Sequence, residues 1–212
     1  MSALTETLHA GGFIVSEPNG SFGRDSGIIL SGEGKLPTGA VLGQAAGAVT
    51  QAFAGTGNGV LTMDATTPVV AGAQIGKYKV LFIEPTTNLG TFEVEDPNGV
   101  VIGSGVVGTA FNNQIKFAIA DGSTDFSAGD TFTLTVAAGK WRSADPTNTD
   151  GSSVAKAILF AAIDATSADA TGVLFVEGEV RDADLTYDAN VDDNTKKITK
   201  IAELAAARIK VR

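Results

Sequence analysis

The feature that most constrains the fold is a series of short apolar runs in residues 58–138, separated by turn signals. Apolar and polar side chains alternate in these runs, which is the period of a β-strand with one buried face. Residues 96–99 (DPNG) have proline early and glycine late, as in a tight turn, and therefore predict a hairpin. Regularly spaced short strands predict a β-sandwich over this stretch. The predicted strands are residues 60–63, 77–84, 91–95, 100–102, 114–119 and 131–136.

Residues 139–212 predict a smaller unit, organised around the strand-like run 172–180 (GVLFVEGEV). Residues 154–163 contain alanines that suit a helix, but their Ile-Leu-Phe cluster beside a strand favours a second strand. Upstream, residues 36–43 predict a short strand between glycines. Residues 44–57 are rich in Ala, Gly and Thr without a clear pattern, and they predict a loop that leads into the middle stretch.

A C-terminal helix is predicted from Asn194 to about Ala206, with Asp193 or Asn194 as its N-cap, and residues 209–212 predict a short strand after it. One side of the helix is apolar at a period of 3.6 residues and is predicted to face the core. The apolar side comprises Ile198, Ile201, Ala202 and Ala205, and the side predicted to lie away from it comprises Lys196, Lys197 and Lys200.

Together these patterns predict a mainly β, α+β chain in three parts. Residues 1–35 are predicted to be an N-terminal arm, because their polar, Gly-rich pieces separate two apolar patches too short to build a core. Residues 36–57 and 139–212 are predicted to form one discontinuous core of short strands and the helix. Residues 58–138 are predicted to be an inserted all-β, sandwich-like domain.

The two apolar patches of the arm are the candidate binding residues of the chain. In one interpretation the arm is an extended segment that becomes ordered on a partner by adding a strand. In the other it is an edge strand folded onto its own domain. The candidate residues are Phe13, Ile14, Val15, Ile28, Ile29 and Leu30.

The composition argues against several classes of partner. The net charge is -9, with 15 Lys and Arg against 24 Asp and Glu, whereas phosphate backbones select for basic surfaces. Cysteine is absent, so thiolate metal sites and cysteine nucleophiles are excluded. No apolar run approaches the roughly 18 residues of a membrane span. The basic and apolar regions of a secretion signal are also missing from the first residues.

No group of residues predicts a catalytic, cofactor or metal site. Residues 103–108 match the GxGxxG pattern, but a strand instead of a helix is predicted after them, so turns or a bulge are favoured. Residues 145–151 fail as an EF-hand, because Pro146 and Ala157 would occupy ligand positions. His9 is the only histidine. Turn formation is favoured over cation binding for Asp121, Asp125 and Asp130, and solvation over ligation for the aspartates of residues 182–193.

Two blocks of sequence carry a family resemblance. The first is residues 39–43 (GAVLG) after a Gly-rich arm. The second begins at residues 139–141 (GKW) and continues to the end of the chain. Its later motifs are residues 150–151 (DG), 154–159 (VAKAIL), 175–180 (FVEGEV), 194–197 (NTKK) and 209–211 (IKV). In this order and spacing they resemble the head decoration proteins of tailed phages, the family of the phage lambda capsid-stabilising protein.

The resemblance covers about residues 10–56 and 139–212, and it implies a structural virion protein. A homotrimer would sit at three-fold positions outside the expanded capsid, after synthesis in the host cytoplasm, and would cement neighbouring capsomers. The arm would bind the major capsid protein, and neither catalysis nor a cofactor would be involved. Residues 58–138 depart from the short family members. The alternative is a free-standing secreted or surface β-sandwich, such as an adhesin or carbohydrate-binding module.

Overall fold

A computed structural model of the chain describes residues 8–19 and 22–212, which divide into two compact units. Unit 1 comprises Met1–Ala45, Lys140–Asn148 and Ser152–Arg212, and unit 2 comprises Ala46–Gly139 and Thr149–Gly151. The described residues form sixteen strands and one α-helix, which confirms the prediction of a mainly β fold. The interpretation of residues 58–138 as an inserted domain stays a prediction. None of the helical structure in the described residues is long and apolar enough to cross a membrane.

The strands fall at short intervals along the chain, and the helix, α1 (Asn194–Ala206), comes near its end. In chain order the strands are β1 (Ile14–Ser16), β2 (Arg24–Ile29), β3 (Gly34–Leu36), β4 (Val41–Ala54), β5 (Val60–Met63), β6 (Gly76–Thr86), β7 (Leu89–Glu95), β8 (Val101–Val106), β9 (Phe111–Asn112), β10 (Lys116–Ala120), β11 (Thr131–Ser143), β12 (Ala155–Leu159), β13 (Ile163–Ala165), β14 (Ala170–Phe175), β15 (Gly178–Val180) and β16 (Ile209–Val211).

Unit 1 is built from short sheets and the helix. Strands β2, β14, β12 and β4 are neighbours in one sheet, β1, β15 and β16 form a second, and β3 pairs with β13. One buried cluster, which includes Phe13, Phe175 and Leu204, packs between the helix and the sheets. A second cluster includes Ile29 and Leu174. Because Leu174 and Phe175 enter different clusters, both faces of β14 are covered at its C-terminal end.

Unit 2 has two antiparallel sheets that share one core. Strands β11, β6, β7 and β8 are adjacent in the first sheet, and β5, β10 and β9 form the second. Side chains of both sheets, from Phe92 and Phe132 to Phe117 and Ile119, form a single buried cluster. Within β6, Tyr78 and Val80 are buried while Lys77 and Lys79 are exposed, so the alternation read from the sequence is the alternation that fills this core.

Some local predictions about strands were wrong. Residues 44–57 do not form a loop, because β4 extends to Ala54 and lies between β12 and β11. The strand was not predicted because most of its side chains are small and show no alternation of apolar and polar residues. The run 172–180 is two strands in different sheets, β14 and β15, with a break before Gly178. At that position an added Cβ would lie 2.4 Å from the carbonyl oxygen of Ser16, so the backbones approach too closely for any other residue.

The buried face of α1 was also predicted incorrectly, although its bounds and its N-cap were confirmed. Asp193 accepts a hydrogen bond from the backbone N–H of Lys196 at 2.7 Å. Lys200 and Leu204 are the buried residues of the helix, whereas Ile198 is 56% exposed. The helix is therefore rotated relative to the predicted apolar side, because Lys200 finds hydrogen-bond acceptors inside the unit.

Candidate functional site

The described part of the N-terminal segment forms strands on unit 1, as in the second of the two interpretations. Strand β1 is the edge of its sheet, with Ile14 opposite Val180. Strand β2 pairs with β14 along its whole length, from Arg24 opposite Phe175 to Ile29 opposite Ala170. The segment is thus part of the folded unit, and any surface it presents to a partner is held in place by these strands.

Burial divides the six candidate residues into anchors and exposed side chains. Phe13 and Ile29 are both 0% exposed, and the Phe13 ring packs edge-on against Phe175 with centroids 5.7 Å apart. These two residues are unavailable to a partner in this conformation. Val15 and Ile28 are 49% and 48% exposed. Ile14 and Leu30 are half-buried.

Two further exposed apolar residues were missed in the sequence. Phe22 is 84% exposed, the largest value among the exposed large apolar side chains of the described residues. Val173 is 43% exposed and lies opposite Ser26, so it shares the outer face of the β2–β14 pair with Ile28. The lone aromatic in a polar, Gly-rich stretch is the signal that could have identified Phe22. Val173 gives no such signal, because in the sequence it belongs to the same apolar run as Leu174 and Phe175, which are buried.

Arg24, the first residue of β2, is held by an ion pair and by an aromatic ring. The guanidinium of Arg24 donates to both carboxylate oxygens of Glu17, at 2.6 and 3.0 Å, which is the bidentate arrangement. The same guanidinium carbon lies 4.2 Å from the centre of the Phe160 ring. The backbone N–H of Gly11 donates to the carbonyl of Phe160 at 2.8 Å. Gly11, before β1, and Arg24, at the start of β2, therefore both contact Phe160 in the connection between β12 and β13.

The acidic stretch after β15 is tied to α1 by paired charges. Asp182 accepts from the hydroxyl of Tyr187 at 2.9 Å, and its other oxygen lies 2.7 Å from the ammonium of Lys197. Burial, together with the hydrogen bond to Asp182, raises the pKa of Tyr187 well above its usual value. Asp192 pairs with Lys196 at 2.7 Å. These aspartates thus have structural partners on the helix.

A buried ion pair on α1 is the feature least visible in the sequence. Lys200 is 3% exposed, and its ammonium donates to the carbonyl of Ser153 and, at 3.0 Å, to Oε2 of Glu203. The same carboxylate oxygen accepts the backbone N–H of Ala155 at 2.8 Å. The pair therefore joins the helix to the start of β12.

Two of the three aspartates considered for a cation, Asp130 and Asp125, accept backbone N–H groups, whereas the buried Oδ1 of Asp121 has no hydrogen-bond partner among the described residues. Asp130 is buried, and its carboxylate accepts the backbone N–H groups of Thr56, Gly57 and Ser127 at 2.9–3.1 Å. Burial raises the pKa of Asp130, but these donors outweigh it and hold the pKa below its usual value. Asp125 accepts the backbone N–H of Asn88 at 2.9 Å.

Within residues 8–19 and 22–212, no group of three or more His, Asp or Glu side chains is placed to hold a metal ion. The Asp145 carboxylate likewise forms a turn, accepting both the backbone N–H and the hydroxyl of Thr147 at 2.8 Å. His9 lies in a turn, where its carbonyl accepts the N–H of Gly12 at 2.8 Å.

The glycines of residues 103–108 serve the sheet edge. An added Cβ on Gly105 would lie 2.5 Å from the Phe92 ring, so only glycine leaves room for this core aromatic. The ladder between β7 and β8 also shifts register between Val94 and Glu95, which is the predicted bulge. The motif is therefore explained by packing in unit 2.

Comparison with known proteins identifies the family. The family model described as bacteriophage lambda head decoration protein D matches residues 3–209. No protein with a curated description matches the chain. Two crystal structures of Xanthomonas campestris FlgL match at 20% identity, with TM-scores of 0.32 and 0.29. They cover 48% and 50% of this chain, and the chain spans only 34% and 32% of theirs. The family match covers nearly the whole sequence, residues 58–138 included, and the chain therefore belongs to the bacteriophage lambda head decoration protein D family.

Proposed function

We propose that the protein is a cement protein that binds the outside of the expanded phage capsid as a homotrimer and stabilises it. The family match supports a structural role on the phage head. The trimer, the position on the outer surface and contact with the major capsid protein are parts of this proposal. The protein is made in the host cytoplasm and acts on the surface of the virion without catalysis, as a structural family implies. Unit 2 is an addition to the decoration core that the short members lack.

The observation that carries the proposal is the exposure of apolar side chains on the N-terminal segment. Val15, Phe22 and Ile28 are exposed, while Phe13 and Ile29 anchor the same segment in unit 1. Fixed exposed apolar groups lose little conformational entropy on binding, so their burial contributes directly to affinity. Strand β1 is in addition a sheet edge, and an edge can accept a strand from a partner. We therefore assign capsid binding to this segment, with Val15, Phe22 and Ile28 as the contact residues.

Co-sedimentation with expanded, undecorated capsids tests this assignment. Burying the Phe22 ring is worth about 2 kcal/mol, so Phe22→Ser weakens binding about 30-fold. Ile28→Ser has a smaller effect in the same direction. Val100→Ser is the matched control, because Val100 is 57% exposed and lies in unit 2. Wild-type occupancy by the Phe22→Ser, Ile28→Ser double variant would refute the role of the segment. A monomer that ignores capsids and binds a glycan would favour the adhesin alternative.

A further inference from the structure

The second half of β4 is an edge strand of unit 2. Strand β4 has two neighbours in its sheet, β12 and β11. Its pairing with β12 ends at Gly43, and Ala46 donates its N–H to the carbonyl of Asp150 at 2.7 Å. Beyond Ala46 no other described strand lies on that side, so residues 47–54 are paired with β11 alone. A strand of this length spans roughly 27 Å, so the free edge is long.

Both faces of this segment are open to solvent. Val49 packs against the core cluster, and the Phe53 ring contacts the Phe132 ring with centroids 4.8 Å apart. Gln51 lies between Val49 and Phe53 and therefore shares their face. Gln51 and Phe53 are nevertheless exposed, and so is Thr50 on the opposite face. Because consecutive residues are exposed, the edge beside them has room for one further strand.

The edge lacks the features that normally prevent a sheet edge from pairing. Charged side chains, above all lysine, and proline are the usual protection. Residues 47–54 contain no proline, and no charged side chain occurs anywhere in residues 36–63. By contrast, β6 carries Lys77 and Lys79, and β7 carries Glu93 and Glu95. The free edge of β4 is therefore a template on which another strand can be added.

The absence of charge favours a second copy of this chain as the partner. When two identical strands pair antiparallel about a two-fold axis, each residue faces itself or a near neighbour in its own sequence. Any charged side chain on such an edge meets a like charge, which is destabilising. An edge that binds a different protein has no such restriction, since charges of opposite sign can then be matched across the interface.

One register of this pairing matches the side chains best. Residues that face each other lie on the same face of the sheet, so the two-fold axis passes beside a residue and not between two. With the axis at Gln51, Val49 of one copy faces Phe53 of the other, and the two Gln51 amides can exchange hydrogen bonds. This register covers the Phe53 ring, which is 37% exposed. With the axis at Thr50, Val49 faces Gln51, which leaves the apolar pair unmatched.

We propose that two copies of this chain pair through residues 48–54 of β4, antiparallel about a two-fold axis at Gln51. The sheet of unit 2 then continues from one copy into the next. This contact goes beyond the proposed function, because a trimer requires a three-fold interface and the N-terminal segment belongs to unit 1. On a phage head that carries many copies, a weak contact of this kind gains from the high effective concentration and links neighbouring trimers.

Charge substitutions at Gln51 test the self-pairing in the full chain. Gln51→Lys and Gln51→Glu each place like charges opposite each other, so each is expected to weaken concentration-dependent association about tenfold or more in sedimentation equilibrium. An equimolar mixture of the two variants is expected to recover association, because opposite charges then face each other. Val100→Lys is the matched control, since Val100 is 57% exposed in unit 2 but lies outside β4. Association that neither Gln51 variant weakens, or that the mixture does not recover, would overturn the proposal.

Disulfide cross-linking tests the register. The chain contains no cysteine, so any protein disulfide formed by one introduced cysteine must join two chains. Gln51→Cys places the two thiols directly opposite each other, whereas Thr50→Cys leaves them a diagonal apart and beyond disulfide reach. Under mild oxidation Gln51→Cys is expected to form covalent dimers about fivefold faster than Thr50→Cys, in solution and on decorated capsids. Equal rates, or no dimer from Gln51→Cys, would overturn the proposal.

The same variants separate this contact from the proposed capsid binding. Gln51 lies outside the N-terminal segment, so Gln51→Lys is expected to sediment with expanded capsids at wild-type occupancy. Loss of capsid binding by the wild type would refute the cement function and leave the self-pairing in solution intact. Cross-linking of Gln51→Cys variants carrying a photoreactive thiol label to the major capsid protein, in place of a second copy, would assign the edge to the capsid and overturn the self-pairing.

Discussion

Replacement of Lys200 by methionine is expected to destabilise unit 1 strongly. Lys200 is 3% exposed and donates to the carbonyl of Ser153 and to Glu203. Methionine has a similar volume, so the change removes the charge and its hydrogen bonds while it leaves little cavity. Breaking one partner of a buried ion pair costs about 3–5 kcal/mol.

The expected loss for Lys200→Met is lower, about 2–3 kcal/mol, because the remaining carboxylate keeps part of its solvation. The Glu203 side chain is 21% exposed and retains the backbone N–H of Ala155 as a donor. The Ser153 carbonyl loses its ammonium donor in the same variant. Adding Glu203→Gln removes the uncompensated charge, so the double variant is expected to recover about 1 kcal/mol of the loss.

Urea unfolding followed by tryptophan fluorescence measures the free energy of unfolding of unit 1. Trp141 is the only tryptophan of the chain and belongs to unit 1. Lys196→Met is the control, since Lys196 lies on the same helix and its side chain is 41% exposed. Its pair with Asp192 is exposed and screened by solvent, so the control removes an ion pair that contributes little to stability. A loss for Lys200→Met that equals the loss for this control would refute the assignment of Lys200 as a buried anchor.

Four further changes have defined outcomes. Asp130→Asn is expected to cost about 1–3 kcal/mol in thermal unfolding, because the amide cannot accept three backbone donors as the carboxylate does. Since the pKa of Asp130 is lowered on folding, its carboxylate contributes fully to stability above about pH 4, roughly its unfolded pKa. This contribution declines as the pH falls through the folded pKa. A loss of stability in Asp130→Asn that does not depend on pH would contradict this. Arg208 has φ 69, so Arg208→Gly is expected to stabilise unit 1 by about 0.5–1 kcal/mol in urea. Gly105→Ala should lower the melting temperature through contact with the Phe92 ring, and an unchanged value would contradict that packing. Replacing residues 46–139 by a short Gly/Ser linker should leave cooperative unfolding by Trp141 fluorescence, because Val41 and Ala144 already share a backbone hydrogen bond of 3.1 Å.

Elements with a strong period and clear ends were predictable from sequence. The alternating strands of unit 2 follow from the requirement that one face fills the core, and Tyr78 and Val80 satisfy it. The bounds of α1 follow from the Asp193 cap and from the residues that precede the last strand. In these places local preference and tertiary packing agree, so the sequence alone is sufficient.

Elements that depend on partners distant in sequence were not predictable. Strand β4 has small side chains without a period, and its place is set by pairing with β12 and β11. The buried face of α1 depends on Lys200 finding Glu203 and the Ser153 carbonyl, which the helical pattern alone cannot show. In the candidate site, the patches around Phe13 and Ile29 were found, but the separation into buried anchors and exposed contacts requires the pairing of β1 and β2.

Electron microscopy of expanded, undecorated capsids after co-sedimentation with the purified protein tests the central claim most directly. The account predicts saturable binding, with protrusions of trimeric shape at the three-fold positions outside the shell. It also predicts greater resistance of the decorated particles to heating. A protein that stays monomeric and does not sediment with capsids would contradict the proposed cement function.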